Sequence, residues 1–217
     1  ARVVRTDSVD FIIDPKSISN IHTIVVMLTD MGSIHTNYRN FECFIEGSMD
    51  GVSVYSLSDL MVVFEVLRSQ TERLDYLIKR NKFEYAINYH GDEVDLLNAY
   101  LKNRLVIDYQ EYSDSLVMLP FCSTIDLYKN FSFKYGDTSK PAVKASKLFR
   151  QIIARLEKRR PKGYELLALM LLNISYEVQK KQAAYINETK LRVKNYPGSR
   201  KLDFSELVNK KDGISLF

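Results

Sequence analysis

The chain has 217 residues, 46% of them hydrophobic and 27% charged, with a formal net charge of +4, 11 Phe, 14 Tyr and no Trp. That length and aromatic content supply a core for one large domain or two small ones and exclude a disordered tail. No apolar run approaches the ~20 residues needed to cross a bilayer, no secretory leader pattern opens the chain, and 2 cysteines exclude a disulfide framework, so a cytoplasmic protein without membrane contact is expected.

The first fifty residues read as β-rich. Val9–Ile13, Ile21–Leu28 and Phe41–Ile45 are apolar runs, separated by Asp14-Pro15, Asp30–Ser33 and Gly47–Gly51, turn clusters of the kind that close antiparallel strands. A short strand at Val52–Tyr55 leads to Ser56, an N-cap with Asp59 three residues on. Leu57, Leu60, Met61, Phe64 and Leu67 then fall on one helical face. A second helix is expected over Thr71–Arg80, edged by Leu74, Leu77 and Ile78. A third opens at Gly91-Asp92, where carboxylates suit the positive end of the helix dipole, and buries Val94, Leu97, Tyr100 and Leu101. Alternation returns at Val106–Tyr109, Leu116–Leu119 and Phe131–Phe133. The expectation is an α+β domain over residues 1–139, with antiparallel strands around a three-helix insert.

From Lys140 the pattern is helical only, which predicts a helical subdomain over residues 140–217. Pro141 suits a first helical turn, with Val143, Leu148, Ile152, Ile153 and Leu156 as the apolar stripe and Pro161 as the stop. Tyr164–Ile174 is so apolar that burial on all sides is expected. Tyr176–Tyr196 follows, stopped by Pro197-Gly198, and the pattern of Asp203–Lys211 predicts a final helix.

Three markers carry a family likeness: Ser56–Leu60 as Ser-Leu-x-Asp-Leu, Asp75–Arg80 as x-Tyr-Leu-x-x-Arg, and Asp92–Lys102 as Asp-Glu-x-Asp-Leu-Leu-x-x-Tyr-Leu-Lys. With the Leu-rich and basic helices from Lys140 to about Lys194, the chain resembles a region of large, mostly uncharacterised bacterial proteins. In these, a restriction-like nuclease domain of the PD-(D/E)xK type is followed by a mixed α/β segment. The resemblance implies a non-catalytic accessory region, serving assembly, sensing or nucleic-acid positioning within a nuclease-like protein of the defence class.

The residues themselves hold no catalytic signature. A restriction-type site needs a metal-binding Asp and a strand-borne Glu-x-Lys. The only Glu-x-Lys, Glu188-Thr189-Lys190, sits in a helical pattern, where residues two apart point in different directions. Asp92, Glu93 and Asp95 lack the alternating oxygen ligands of a calcium loop and read as a helix cap. His22, His35 and His90 are scattered, Cys43 and Cys122 lack zinc spacing, and no phosphate-binding glycine loop occurs. No catalytic residue, metal or cofactor is expected.

Charge is the remaining signal. Residues 40–126 carry 7 Lys and Arg against 15 Asp and Glu, a net −8, whereas residues 129–162 carry 11 against 2, a net +9. The basic run interleaves Phe131, Phe133 and Tyr135 with cations, and Lys140, Lys144, Lys147, Arg150 and Arg155 are its candidate phosphate contacts. Two readings stay open. In one, which is the expected outcome, the run docks on acidic surface such as that around Asp92 and Asp95, in self-association or against another domain of a parent protein. Alternatively, it makes the chain a stand-alone module that binds DNA or RNA.

Overall fold

The structure, a computed structural model, describes residues 2–5, 10–13, 21–29, 36–37, 52–106, 116–119, 125 and 141–195. In chain order these form β1 (Arg2–Arg5), β2 (Asp10–Ile13), β3 (Thr23–Met27), β4 (Val52–Ser56), α1 (Leu57–Val66), α2 (Gln70–Ala86), β5 (Asn88–His90), α3 (Glu93–Asn103), β6 (Leu116–Met118), α4 (Lys147–Arg159), α5 (Tyr164–Asn173) and α6 (Tyr176–Asn195). The chain is therefore a mixture of helices and short strands. The strands expected at Phe41–Ile45 and Phe131–Phe133, most of Val106–Tyr109, and the helix at Asp203–Lys211 lie outside the described residues.

The expectation of antiparallel strands needs correction. Among the described residues, only β1 and β2 pair antiparallel, Arg2 opposite Ile13 and Arg5 opposite Asp10. β3 and β4 run parallel, Thr23 opposite Val52 and Met27 opposite Ser56, and β5 and β6 run parallel, Asn88 opposite Leu116. In the second case the reason is the connection. Helix α3 lies between the two strands, so the chain recrosses and returns in the same direction, as a hairpin turn cannot. Gly91 sits where β5 leads into that crossover. A Cβ there would lie 2.9 Å from Leu119 Cβ, so the close passage of β6 requires glycine. Strand β5 also interrupts the predicted run of three helices.

Local chemistry sets the helix starts. Ser56 accepts the Asp59 N–H at 3.0 Å and opens α1. Ser69 and Glu72 form a capping box at α2, and Asp92 and Asp95 form another at α3. Helix α2 continues past Arg80 to Ala86. Its inward stripe puts Tyr76, Arg80 and Phe83 in the interior. The core gathers Tyr55, Val63, Tyr76, Phe83, Leu97 and Tyr100, and the same buried cluster takes in Val143 and Ile153, Ala168 and Leu172 from beyond residue 140.

Two further expectations are corrected after residue 140. Pro141 is not in a first helical turn: residues 141–146 are irregular and α4 begins at Lys147. Tertiary partners claim this segment's backbone groups. Arg104 Nη2 donates to the Lys144 carbonyl at 2.9 Å, and the Ser146 N–H donates to Oε1 of buried Gln179 at 2.9 Å. Helix α5 is not buried on all sides either, for only Ala168 and Leu172 are enclosed. Leu166, Leu167 and Met170 are 66%, 42% and 50% exposed, because α2 and α4 cover one flank of α5. Among the described residues, no helix is long and apolar enough to cross a membrane.

Candidate nucleic-acid interface

Helix α4 is the most strongly two-sided element. Ser146 caps it, accepting the Phe149 N–H at 3.4 Å. Lys158 and Arg159 occupy its last turn, where cations meet the negative end of the dipole. Arg160, at φ 45, closes it by donating its N–H to the Leu156 carbonyl at 2.8 Å, and Gly163, at φ 77, starts α5 in the left-handed region that glycine enters without strain. Phe149 and Ile153 face the core. The opposite side exposes Lys147, Arg150, Gln151, Ala154, Arg155, Lys158 and Arg159, and Arg160 and Lys162 extend the cationic surface into the turn.

The candidate residues are brought together in part. Lys140 lies outside the described residues. Lys144 is exposed but precedes the helix, its ammonium 4.8 Å from the Tyr176 ring centroid. Lys147, Arg150 and Arg155 share the outer face of α4. Arg150 leans back to donate to the Val143 carbonyl at 2.5 Å and borders a cleft of about 260 Å³ shared with Arg68, Glu72 and Glu157.

Glu157 was not singled out by its sequence context, yet it decides the character of the helix. It is the sole acid of α4, and its carboxylate turns inward to accept the Thr71 N–H at 2.8 Å and the Thr71 hydroxyl at 2.7 Å. It thereby satisfies the first turn of α2, and the outer face of α4 keeps no negative charge. Glu157→Ala leaves those two half-buried donors without their carboxylate. Urea unfolding should show a loss of about 1–3 kcal/mol; an unchanged midpoint would mean that water replaces the carboxylate at no cost.

Between residues 52 and 106, acidic surface gives the cations little to pair with; Glu165, Glu177 and Glu188 are exposed on α5 and α6. Of the 8 Asp and Glu residues between 52 and 106, Glu72, Asp75, Glu84, Glu93 and Asp95 are buried. Asp92 and Asp95 are engaged in their capping box, and among the described residues no salt bridge joins the basic run to an acid. The polar contacts between the two parts run in both directions: Arg104 donates to the Lys144 carbonyl, and Asn173 donates to Asp75 at 2.9 Å while accepting from Lys79 at 2.6 Å.

A second cluster of ionisable groups lies in the interior. Arg80 contacts Glu84, meets Glu93 at 3.2 Å, donates to the Val54 and Thr36 carbonyls at 3.0 and 3.1 Å, and stacks 4.5 Å from the Tyr55 ring centroid. Tyr76 donates to Glu93, and Tyr100 donates to Asp75 at 2.9 Å. Arg80 and Tyr76 are both 0% exposed, so no substrate reaches them, and the cluster reads as a structural network rather than a reaction centre. Burial, the main cause, raises the phenol pKa of Tyr55, Tyr76, Tyr89 and Tyr100 above its ordinary value.

Among the described residues, no group of three or more His, Cys, Asp or Glu is placed to hold a metal ion. Glu188 and Lys190 sit on α6, and Glu188 is paired with Arg192 at 2.6 Å across one exposed turn. No family model, curated protein or solved structure matches this chain.

Proposed function

We propose that this chain is a non-catalytic region that positions nucleic acid, holding the phosphate backbone on the outer face of α4 and the α4–α5 turn. The observation that carries this reading is a helix face bearing Lys147, Arg150, Arg155, Lys158 and Arg159 with its one carboxylate withdrawn to cap α2. A mixed-sign face would be the ordinary solvated surface; a face of one sign holds a polyanion by displacing its condensed counterions. In a larger bacterial nuclease-like protein of the defence class, as the sequence resemblance implies, such a region would hold the substrate in the cytoplasm for a cutting domain elsewhere.

Anisotropy titration of labelled duplex and single-stranded oligonucleotides tests the reading. Affinity should fall steeply with salt, with a logarithmic slope of about −0.9 per phosphate contacted on duplex. Reversing Lys147, Arg155, Lys158 and Lys162 to Glu should abolish binding while thermal stability changes little, since exposed charges contribute about 0–1 kcal/mol each. Absence of binding by the unaltered chain at low salt would overturn the proposal. So would a reversal that changes only oligomeric state on sizing chromatography, which would assign the face to assembly.

A further inference from the structure

At about 100° per residue, Lys147, Gln151, Ala154, Arg155 and Lys158 fall within an arc of about 100° on α4. Arg150 and Arg159 flank that arc on either side. Gln151 stands near its centre. Its amide is exposed and makes no hydrogen bond among the described residues, so both its donor and its acceptor are available. Ala154, one turn away, is exposed too, and its small side chain lets the helix surface approach whatever lies opposite. Cations thus surround one neutral polar group of planar, two-pronged geometry.

That arrangement separates two tasks. Cations at the rim of a helix face hold phosphates and fix its register, whereas a central side chain with a paired donor and acceptor reads a base edge. A glutamine amide matches the adjacent N6 donor and N7 acceptor of adenine, and a methyl such as that of alanine packs on the thymine methyl. Resting on the proposed nucleic-acid role, we infer that α4 enters the major groove of duplex DNA with Gln151 as its base-reading residue and an A·T pair as its preferred contact. The dimensions agree. A helix with its side chains is about 10–12 Å across and the B-form major groove about 12 Å wide. The major groove of A-form RNA is too narrow and deep for the same fit, which commits the occupant to DNA. From Lys147 to Lys158 the helix runs about 16 Å. Lys147 and Lys158 stand at either end of that run, and Arg150 and Arg159, about 100° and 80° round the helix from Gln151, face the phosphate walls on the two sides.

The experiment is selection of duplexes from a randomised pool by the 217-residue chain, followed by anisotropy titration of the selected duplex and a scrambled one. The selected sequences should share an A·T-containing motif. Gln151→Ala should cut the ratio of selected to scrambled affinity about tenfold, the discrimination carried by one bidentate base contact. Arg159→Ala should lower both affinities together and leave the ratio unchanged. Duplex binding with no enriched motif, an unaltered ratio in Gln151→Ala, or equal affinity for double-stranded RNA would overturn the base-reading role while leaving backbone binding standing. Failure to bind any nucleic acid would overturn both.

Discussion

Arg80→Met should cost about 3–5 kcal/mol, the typical loss when one partner of a buried ion pair is removed. A domain is commonly stable by about 5–15 kcal/mol, so the variant would be marginal. The guanidinium is fully enclosed and meets Glu84, Glu93 and the carbonyls of Val54 and Thr36. Methionine fills much of the same volume, so little of the effect comes from a cavity. The loss arises from the two carboxylates and two carbonyls left facing a hydrocarbon chain. This cause can be separated from general disruption. Adding Glu84→Gln and Glu93→Gln to Arg80→Met removes the uncompensated charge and should recover a substantial part of the stability, because neutral amides tolerate burial better than carboxylates. Urea titrations of the single and triple variants make the comparison. A single variant as stable as the parent, or a triple variant worse than the single, would refute the account of Arg80 as the neutralising centre of the core.

That network also marks the limit of what the residues disclose locally. Helix caps are contacts within four residues, so Ser56 with Asp59 and the opening of α3 at Asp92 are readable without knowing the fold. Glu93 stands in the same acidic first turn and reads the same way, yet its carboxylate goes to Arg80 and Tyr76, residues distant in sequence. One signal was available. Tyr76, Arg80, Phe83 and Ile87 follow a 4-3-4 spacing, which puts an arginine inside an apolar stripe, and an ion there must bring its partners with it.

Strand direction was less accessible, since it depends on which element lies between two strands rather than on the turn residues beside them. The apolar composition of α5 says that it can be buried, whereas the number of neighbours decides how much of it is; one covered flank leaves Leu166 and Met170 outside. On α4 the cations Lys147 and Arg150 were legible from a helical spacing that also took in Lys144, which precedes the helix, and Lys140, which lies outside the described residues. The partner of Glu157 was not, because Thr71 is 86 residues away. At about 100° per residue Glu157 falls about 40° from core-facing Ile153 and outside the cationic arc, so that arc keeps one sign.

Alkaline solution should unfold the protein cooperatively soon after the ordinary tyrosine pKa of 10.0 is passed. Tyr55, Tyr76, Tyr89 and Tyr100 are buried, and burial is the largest cause holding each phenol above that value, with Glu93 adding to the effect at Tyr76 and Asp75 at Tyr100. The sign follows from where the protons reside. Below about pH 10 both folded and unfolded chains keep all four protons, and the full stability is present. Above it the unfolded chain releases them while the folded chain retains them, so stability falls as pH rises toward the folded pKa values. Each tyrosine contributes about 1.4 kcal/mol per pH unit, so four together remove about 5–6 kcal/mol per unit. Lys79 works in the opposite direction. Burial lowers its pKa, so its penalty fades as pH approaches its ordinary value of 10.5, but it offsets one proton against four. Far-ultraviolet circular dichroism and tyrosinate absorbance, followed together between about pH 9 and 12, should show exposed tyrosines ionising first and a second group ionising only as helix is lost. Tyr76→Phe should make the transition shallower by about 1.4 kcal/mol per pH unit. Uniform ionisation of every tyrosine near its ordinary value with the helices intact would show that these phenols are open to water, and that the core around Arg80 is not closed.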